Sequence, residues 1–467
     1  MKHIAFSGRM VMVGFGSIGQ GVLPLILRHI DIKPSQITII TAEERGHDEA
    51  NEYAIKFVNH ALTRENYRDM LVPELGRGDF LLNLSVDVSS VALIALCREL
   101  GALYLDTCTE PWAGGYTDPS LPPSRRTNYA LRESLLALRN GGHGPTAMVT
   151  HGANPGLVSH FVKQGLLDVA RDTGTEADVP GSREEWADLA HRLGVKVIHI
   201  AERDTQVANR PKAVGEFVNT WSIDGFVGEG CQPAELGWGT HEKALPHDGR
   251  RFDFGPDCAI HLMRPGASQR VRTWTPLEGH FQGFLITHGE AISLADYLTV
   301  KEGDRVAYRP TVHYAYHPCD DAVLSLHEFA GKVWRLQPSK RLLMDEIIGG
   351  IDELGVLLAG HDKGAYWYGS QLSIAEARAL APHNNATSLQ VTIAALAGVI
   401  WAIENPDVGI IEPDEVDFRR ILEICRPYLG PVVGHYTDWT PLVGRETLFP
   451  EDIDRDDPWQ FKNVRVV

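Results

Sequence analysis

Three glycines stand at G-x-G-x-x-G spacing in Gly14-Phe15-Gly16-Ser17-Ile18-Gly19, directly after the apolar run that starts at Met10. In such a turn the first glycine permits a tight bend and the second lets a pyrophosphate approach the backbone. The third lets the helix pack close to the strand. Phosphate would meet the amino end of the helix that opens at Ser17 and Ile18, where backbone N–H groups and the helix dipole both favour an anion. The expectation is a nicotinamide-dinucleotide site. The acid that usually holds the adenosine ribose is missing from its simplest position, because Ile40 is followed by Thr41 and Ala42. Glu43 is the nearest substitute for a ribose hydroxyl, whereas Arg45 could receive a 2′-phosphate. NAD is expected over NADP, and the spacing alone leaves both open.

Polar residues that end apolar strands have a geometric claim on function, since ligands of a doubly wound sheet bind beyond the strands' carboxyl ends. Asp87 ends the run Leu81 to Val86, which also holds Ser85. Asp106 and Glu110 follow Leu103-Tyr104-Leu105, and Asn154 follows Val149 to Ala153. Further on come Glu202 after Val197 to Ile200, Trp221 and Glu229 between Asn219 and Gly230, and His288 and Glu290 after Phe284-Leu285-Ile286. Each has an ordinary reading as well. Asp87 precedes Ser89 and Ser90 at a helix start and could be a cap; Glu202 and Glu229 could sit in exposed loops, and a large aromatic is usually core. Together they have the chemistry for an amine: carboxylates pair with an ammonium, and an indole face attracts it by up to about 2 kcal/mol when desolvated. Removing hydride from the carbon beside an amine also needs a base to take the nitrogen's proton, and His288 or a glutamate would serve. His313 and His317 could share a helical face, but Pro318 and the flanking tyrosines argue against a long helix. Without HExxH or cysteine partners, a structural or substrate-lining role is expected there and no metal. No GxSxG elbow supports a hydrolase.

The elements that must position these groups read as strands over Met10–Phe15, Ile37–Thr41, Phe80–Val86, Ala102–Asp106 and Ala147–Thr150. Between them, three-to-four spacing predicts helices over Ile18–His29, Asp48–Val58, Ser89–Leu100 and Asn128–Arg139. This alternation predicts an α/β, Rossmann-type doubly wound parallel sheet over residues 1–150. Long loops are expected over Tyr116–Arg126 and Asn140–Pro145. Helices Leu157–Arg171 and Arg183–Leu193, a strand Val195–Ala201 and strand-rich sequence to about residue 340 predict a second, mixed α+β domain over residues 151–380, for substrate, catalysis and dimerisation. The segment 381–467, with a nearly all-apolar helix over Ser388–Glu404, is expected to pack back on both. A chain of 467 residues is long enough for two or three domains at roughly 100 to 200 residues each. The 61 acidic and 44 basic residues give a net charge of −17, which disfavours nucleic acid and suits a cationic ligand. Six scattered cysteines, no apolar leader, and a longest apolar run (Val391 to Ile403) below the ~20 residues of a bilayer span predict a cytoplasmic protein with reduced thiols.

The blocks GFGSIGQG, NLSVDVSS, EPW, GANPG, HIAERDTQ, FVNTWS, PAELGWGT, HYAYHP, DAVLSLHE, AYWYGSQLS, YTDWTPL and PEDIDRDDPWQF, spread from residue 14 to residue 461, resemble the bacterial homospermidine synthases of the saccharopine dehydrogenase-like group. The longer blocks of the second half carry the resemblance; the glycine motif would fit many dehydrogenases. The resemblance implies that putrescine is oxidised by tightly held NAD, ammonia is lost, a second amine condenses, and the imine is reduced by the same NADH, with spermidine an alternative aminobutyl donor. It implies a cation-π platform at Trp221, an acidic pocket of Asp87, Glu110, Glu202 and Glu229, and Asn154 and His288 near the nicotinamide, with Glu290 behind His288. It also implies a homodimer. Thr41 departs from the aspartate expected in the group. A net amine or amino-acid dehydrogenase is the rival reading, and a dinucleotide sensor without catalysis a third.

Overall fold

In the computed structural model, residues 2–139, 142–175 and 178–466 are described. Asn140 and Gly141, at the head of the expected loop before Pro145, lie outside them.

Seven parallel strands form the first sheet, in the order Val408–Ile411, Gly144–Met148, Leu103–Asp106, Phe80–Asn83, Met10–Val13, Ile37–Thr41 and Lys56–Asn59. Strand order reverses between Met10–Val13 and Phe80–Asn83, so the glycine turn opens onto the crevice where the two halves diverge. Both faces are covered. Met10 and Met12 enter one core while Val11 and Val13 enter another, which is why these strands read as unbroken apolar runs.

Two sequence expectations change. The helix predicted over Asp48–Val58 stops at Glu52, and Lys56–Asn59 is a strand paired to Thr38–Thr41. Ala54 adopts a left-handed φ of 54° that breaks the helix, after which Phe57 and Val58 favour the pleat. The sheet also takes its seventh strand from residues 408–411, far beyond residue 150.

The second sheet has eleven strands. Its main path runs Gly249–Arg251, Ala259–Pro265, Pro233–Gly237, Thr311–His317, Val197–Asp204, Ile351–His361, Gly364–Ser373 and Val432–Thr437. Only Thr311–His317 and Val197–Asp204 pair in parallel along this path; their neighbours are antiparallel. Helix Leu157–Thr173 crosses from the first sheet onto Ile351–His361 and Gly364–Ser373. Helix Ala386–Glu404, started by an Asn385/Ser388 capping box, packs on Ser17–His29 and on strand Leu103–Asp106. Its 19 residues are long and apolar enough to cross a membrane by composition, yet 89% of that window is buried within the fold. Burial between two layers accounts for its apolar character on all sides.

Candidate active site

Each glycine of the turn meets a different constraint. Gly14 has φ 83°, and a Cβ there would stand 2.7 Å from both Leu84 O and Ser85 N. A Cβ on Gly19 would lie 2.9 Å from the Phe15 ring and 3.0 Å from Gly14 O. Around Gly16, by contrast, nothing stands within 4 Å of that position. Gly16 is the N-cap of Ser17–His29, whose first turn has no side-chain cap and no acidic residue. Uncapped N–H groups facing open space at a dipole's positive end fit a pyrophosphate, and the free volume at Gly16 fits its approach. Ser85 abuts the turn from the neighbouring strand end, its backbone N–H and hydroxyl both donating to Asn83 Oδ1 at 3.3 and 2.6 Å. Glu43 is exposed beyond the end of Ile37–Thr41, 3.7 Å from the Arg45 guanidinium, so the two candidate ribose groups pair loosely with each other.

The acidic groups converge where the strand ends of the first sheet face the second domain. His288 is the N-cap residue of helix Gly289–Tyr297 and is 5% exposed. Its Nε2 lies 3.1 Å from Glu229 Oε2 and its Nδ1 3.3 Å from Glu290 Oε1. Burial opposes charge on this ring, but the carboxylates of Glu290 and Glu229 outweigh it and raise the imidazole to about 10. Two carboxylates thus clamp the His288 ring and favour its charged form in the free protein. Cys108, Thr109, Thr150, Pro155 and Glu229 line a pocket with it.

Glu110 is buried, and its Oε2 accepts the Asp87 backbone N–H at 3.2 Å. Burial, reinforced by the nearby Glu229 and Asp87 charges, pushes its carboxyl up to about 8. Asp87 itself sits in a left-handed turn, φ 66°, and the helix behind it is capped by Ser89, which accepts the Ala92 N–H at 3.4 Å. Its side chain is thereby free of the capping task; burial and Asp224 raise its carboxyl.

Glu202, on strand Val197–Asp204, accepts a short hydrogen bond from the Tyr314 hydroxyl and another from Asn154 Nδ2 at 2.8 Å. Burial raises Glu202 to about 7 in spite of both donors. Asn154, expected beside the cofactor, gives one amide N–H to this acid. Trp221 immediately precedes helix Ile223–Cys231, which carries Glu229 and is capped by Ser222. Its indole Nε1–H donates to the Tyr316 hydroxyl at 3.0 Å.

Sequence reasoning passed over Tyr314, Tyr316 and Asp352. The HYAYHP block drew attention to its histidines at helical spacing, but Thr311–His317 is a strand, so alternate residues face opposite ways. Tyr314 and Tyr316 share the face that meets Glu202 and Trp221, and their rings stack at 5.1 Å. His313 points the other way, onto His199 at 4.2 Å, and His317 meets Phe281 at 6.1 Å. Period-two alternation in Tyr314-Ala315-Tyr316 was the available signal. Asp352 pairs in register with Asp204 across neighbouring strands, and neither of its carboxylate oxygens has a hydrogen-bond partner. Burial, with Glu202 and Asp204 nearby, holds its carboxyl well above the usual range. Nothing local marks it, since only strand pairing brings it to Glu202.

A parallel sheet with a dinucleotide-type glycine turn, joined to a mixed sheet with buried acids and His288 gathered near the strand ends, has the build of a two-domain dehydrogenase-type protein. Residues 10–148 match the family described as the saccharopine dehydrogenase NADP binding domain, and residues 152–438 match the saccharopine dehydrogenase C-terminal domain. Homospermidine synthase of Blastochloris viridis is 57% identical over 464 residues, 98% of this chain and 97% of that one. The Mesorhizobium japonicum homospermidine synthase is 54% identical over 468 residues, covering 98% and 96%. The crystal structure of the Legionella pneumophila homospermidine synthase in complex with NAD superposes with a TM-score of 0.94 at 54% identity, covering 100% of this chain and 99% of that one. The chain belongs to the homospermidine synthase family.

Proposed function

We propose that this chain transfers an aminobutyl group to putrescine, forming sym-homospermidine with no net redox change; a putrescine donor releases ammonia, and a spermidine donor releases 1,3-diaminopropane. The observation that carries this reading is a cluster of acids around His288: Glu229 and Glu290 on the ring itself, Glu110 in the field of Glu229 and Asp87, and Glu202 in the field of His288 and beside Asp352. Several carboxyls suit the two ammonium groups of a diamine. Trp221, linked through Tyr316 to the strand whose Tyr314 holds Glu202, is the aromatic face for the cation in this reading.

NAD, held by Gly14, Gly16, Ser17, Ile18 and Gly19 with Ser85 beside the turn, supplies a hydride acceptor for the carbon beside one amine and gives the hydride back at the end of the cycle. Glu202 and Glu110, near 7 and 8, lie where a carboxyl both accepts a proton from an ammonium and returns it at neutral pH. Loss of that proton frees the nitrogen lone pair, without which the adjacent carbon cannot yield hydride. The resulting imine is attacked by the second amine. His288, clamped as an imidazolium, can protonate the departing nitrogen so that it leaves as ammonia, while Glu229 and Glu290 balance the ring's charge. The second imine takes hydride and a proton to become the secondary amine. In atoms, two putrescines become one homospermidine and one ammonia.

The reading includes a cytoplasmic homodimer; six unpaired cysteines are in keeping with a reducing compartment. Incubation of the purified chain with putrescine and NAD tests the reaction. The expected result is ammonia and homospermidine in equal amounts with no accumulation of NADH. NADH rising in step with amine consumption, and no homospermidine, would establish the rival net dehydrogenase instead.

A further inference from the structure

Strand Thr311–His317 lies at the centre of the second sheet and turns two tyrosines to one face, where they meet Glu202 and Trp221. Tyr316 is fully buried, stacked on Tyr314 at an interplanar angle of 10°, and meets the edge of Phe226 at 5.8 Å. Its hydroxyl is the acceptor for the Trp221 indole N–H. The indole is further tilted against Phe226 at 5.2 Å, and Gly225 leaves room beside it, since a Cβ there would stand 3.4 Å from the ring. Packing alone leaves an indole free to swing about its bond to Cβ; one directional hydrogen bond from its single donor removes that freedom. Donation from N–H also leaves the ring more electron-rich, and coupled hydrogen bonds polarise one another. Tyr314 does for Glu202 what Tyr316 does for Trp221, through its bond to the carboxylate, and its ring lies 4.3 Å from His288.

We propose that Tyr316 is a positioning residue for the amine site: its hydroxyl sets the plane of the Trp221 indole, so that one β-strand orients both the cation platform and, through Tyr314, the Glu202 carboxylate. The proposal rests on Trp221 being the cation platform. Tyr316→Phe removes one oxygen and keeps the ring stack. Its expected effect is a rise of about tenfold in KM for putrescine, the scale of one lost hydrogen bond. The midpoint of thermal unfolding and the affinity for NAD should stay unchanged. In protein carrying 15N-labelled indole, one of the ten tryptophan Nε1–H resonances should shift in Y316F, and it should be the one missing from Trp221→Phe. The double variant Y316F/W221F should bind putrescine no more weakly than W221F, because the hydroxyl acts through the indole. A wild-type KM in Y316F, or losses that add in full in the double variant, would overturn the positioning role while leaving Trp221 as platform. If W221F itself leaves KM unaltered, the platform and the proposal fall together. Lower thermal stability with an unmoved indole resonance would make Tyr316 a core residue only.

Discussion

Glu110 and Glu202 show how environment, not residue type, assigns a role. Both are glutamates with an ordinary value near 4.3, and both are raised into the neutral range, to about 8 and about 7, by burial. Only their ionised forms pair with an ammonium, so kcat/KM for putrescine should climb as pH passes from about 7 to about 8, where the free protein's groups report. Glu110→Gln should abolish the upper part of that climb and lower kcat/KM by roughly 10- to 150-fold, matching the about 1.5–3 kcal/mol of a hydrogen bond to a charged group. A pH series on both proteins decides it, and an unchanged profile in E110Q would remove Glu110 from the amine pocket. At this scale the sequence supplied the residue types and their strand-end positions. It could not supply the clamp on His288, because Glu229 lies 59 residues away on another helix and reaches the ring only when the second domain folds.

Among the elements, the glycine turn separates constraints that the sequence joins in one motif. Gly14→Ala puts a methyl group against backbone atoms at 2.7 Å in a left-handed conformation, and should cost at least about 1–3 kcal/mol in chemical denaturation. Gly16→Ala meets no protein atom, so the fold should keep its stability while NAD affinity drops. Equal affinity of G16A and wild type in an NAD titration would mean that the pyrophosphate does not pass over this residue. Most strands and helices of the first domain were legible because an apolar run covered on both faces, followed by a glycine turn and an amphipathic stretch, has few other solutions. The exceptions have local causes. Ala54 ends a helix whose apolar spacing alone would carry it on. Tyr314 and Tyr316 go unmarked when only the histidines of the block are weighed, whereas the strand's alternation sets the tyrosines on the opposite face.

Across the whole molecule, the buried acids make the free protein's stability depend on pH in one sense. Glu202 and Glu110 are raised in the folded state, so their contribution is complete below about pH 4.3 and is lost as pH rises through 7 and 8. His288 is also raised, and its contribution, complete below about 6.5, is lost as pH rises through 10. The thermal midpoint without ligand should therefore fall between pH 6 and pH 9, and putrescine should raise it more at pH 8.5 than at pH 6, because ligand binding adds to the folded state in proportion to affinity. Scanning calorimetry with and without the diamine tests this; an equal ligand shift at both values would show that the carboxylates are not titrated by the amine. By itself the sequence determined the dinucleotide turn, the run of parallel strands, an acidic surplus of 17 charges and the families of blocks that resemble a polyamine enzyme. Those are local patterns, set by spacing and composition within a few residues. Only the tertiary structure decided that residues 408–411 complete the first sheet, that Asp352 stands beside Glu202, and that Tyr316 meets Trp221 across 95 residues. Such pairs are made by strand register and domain packing, which bring together side chains whose neighbours in sequence carry no trace of the contact.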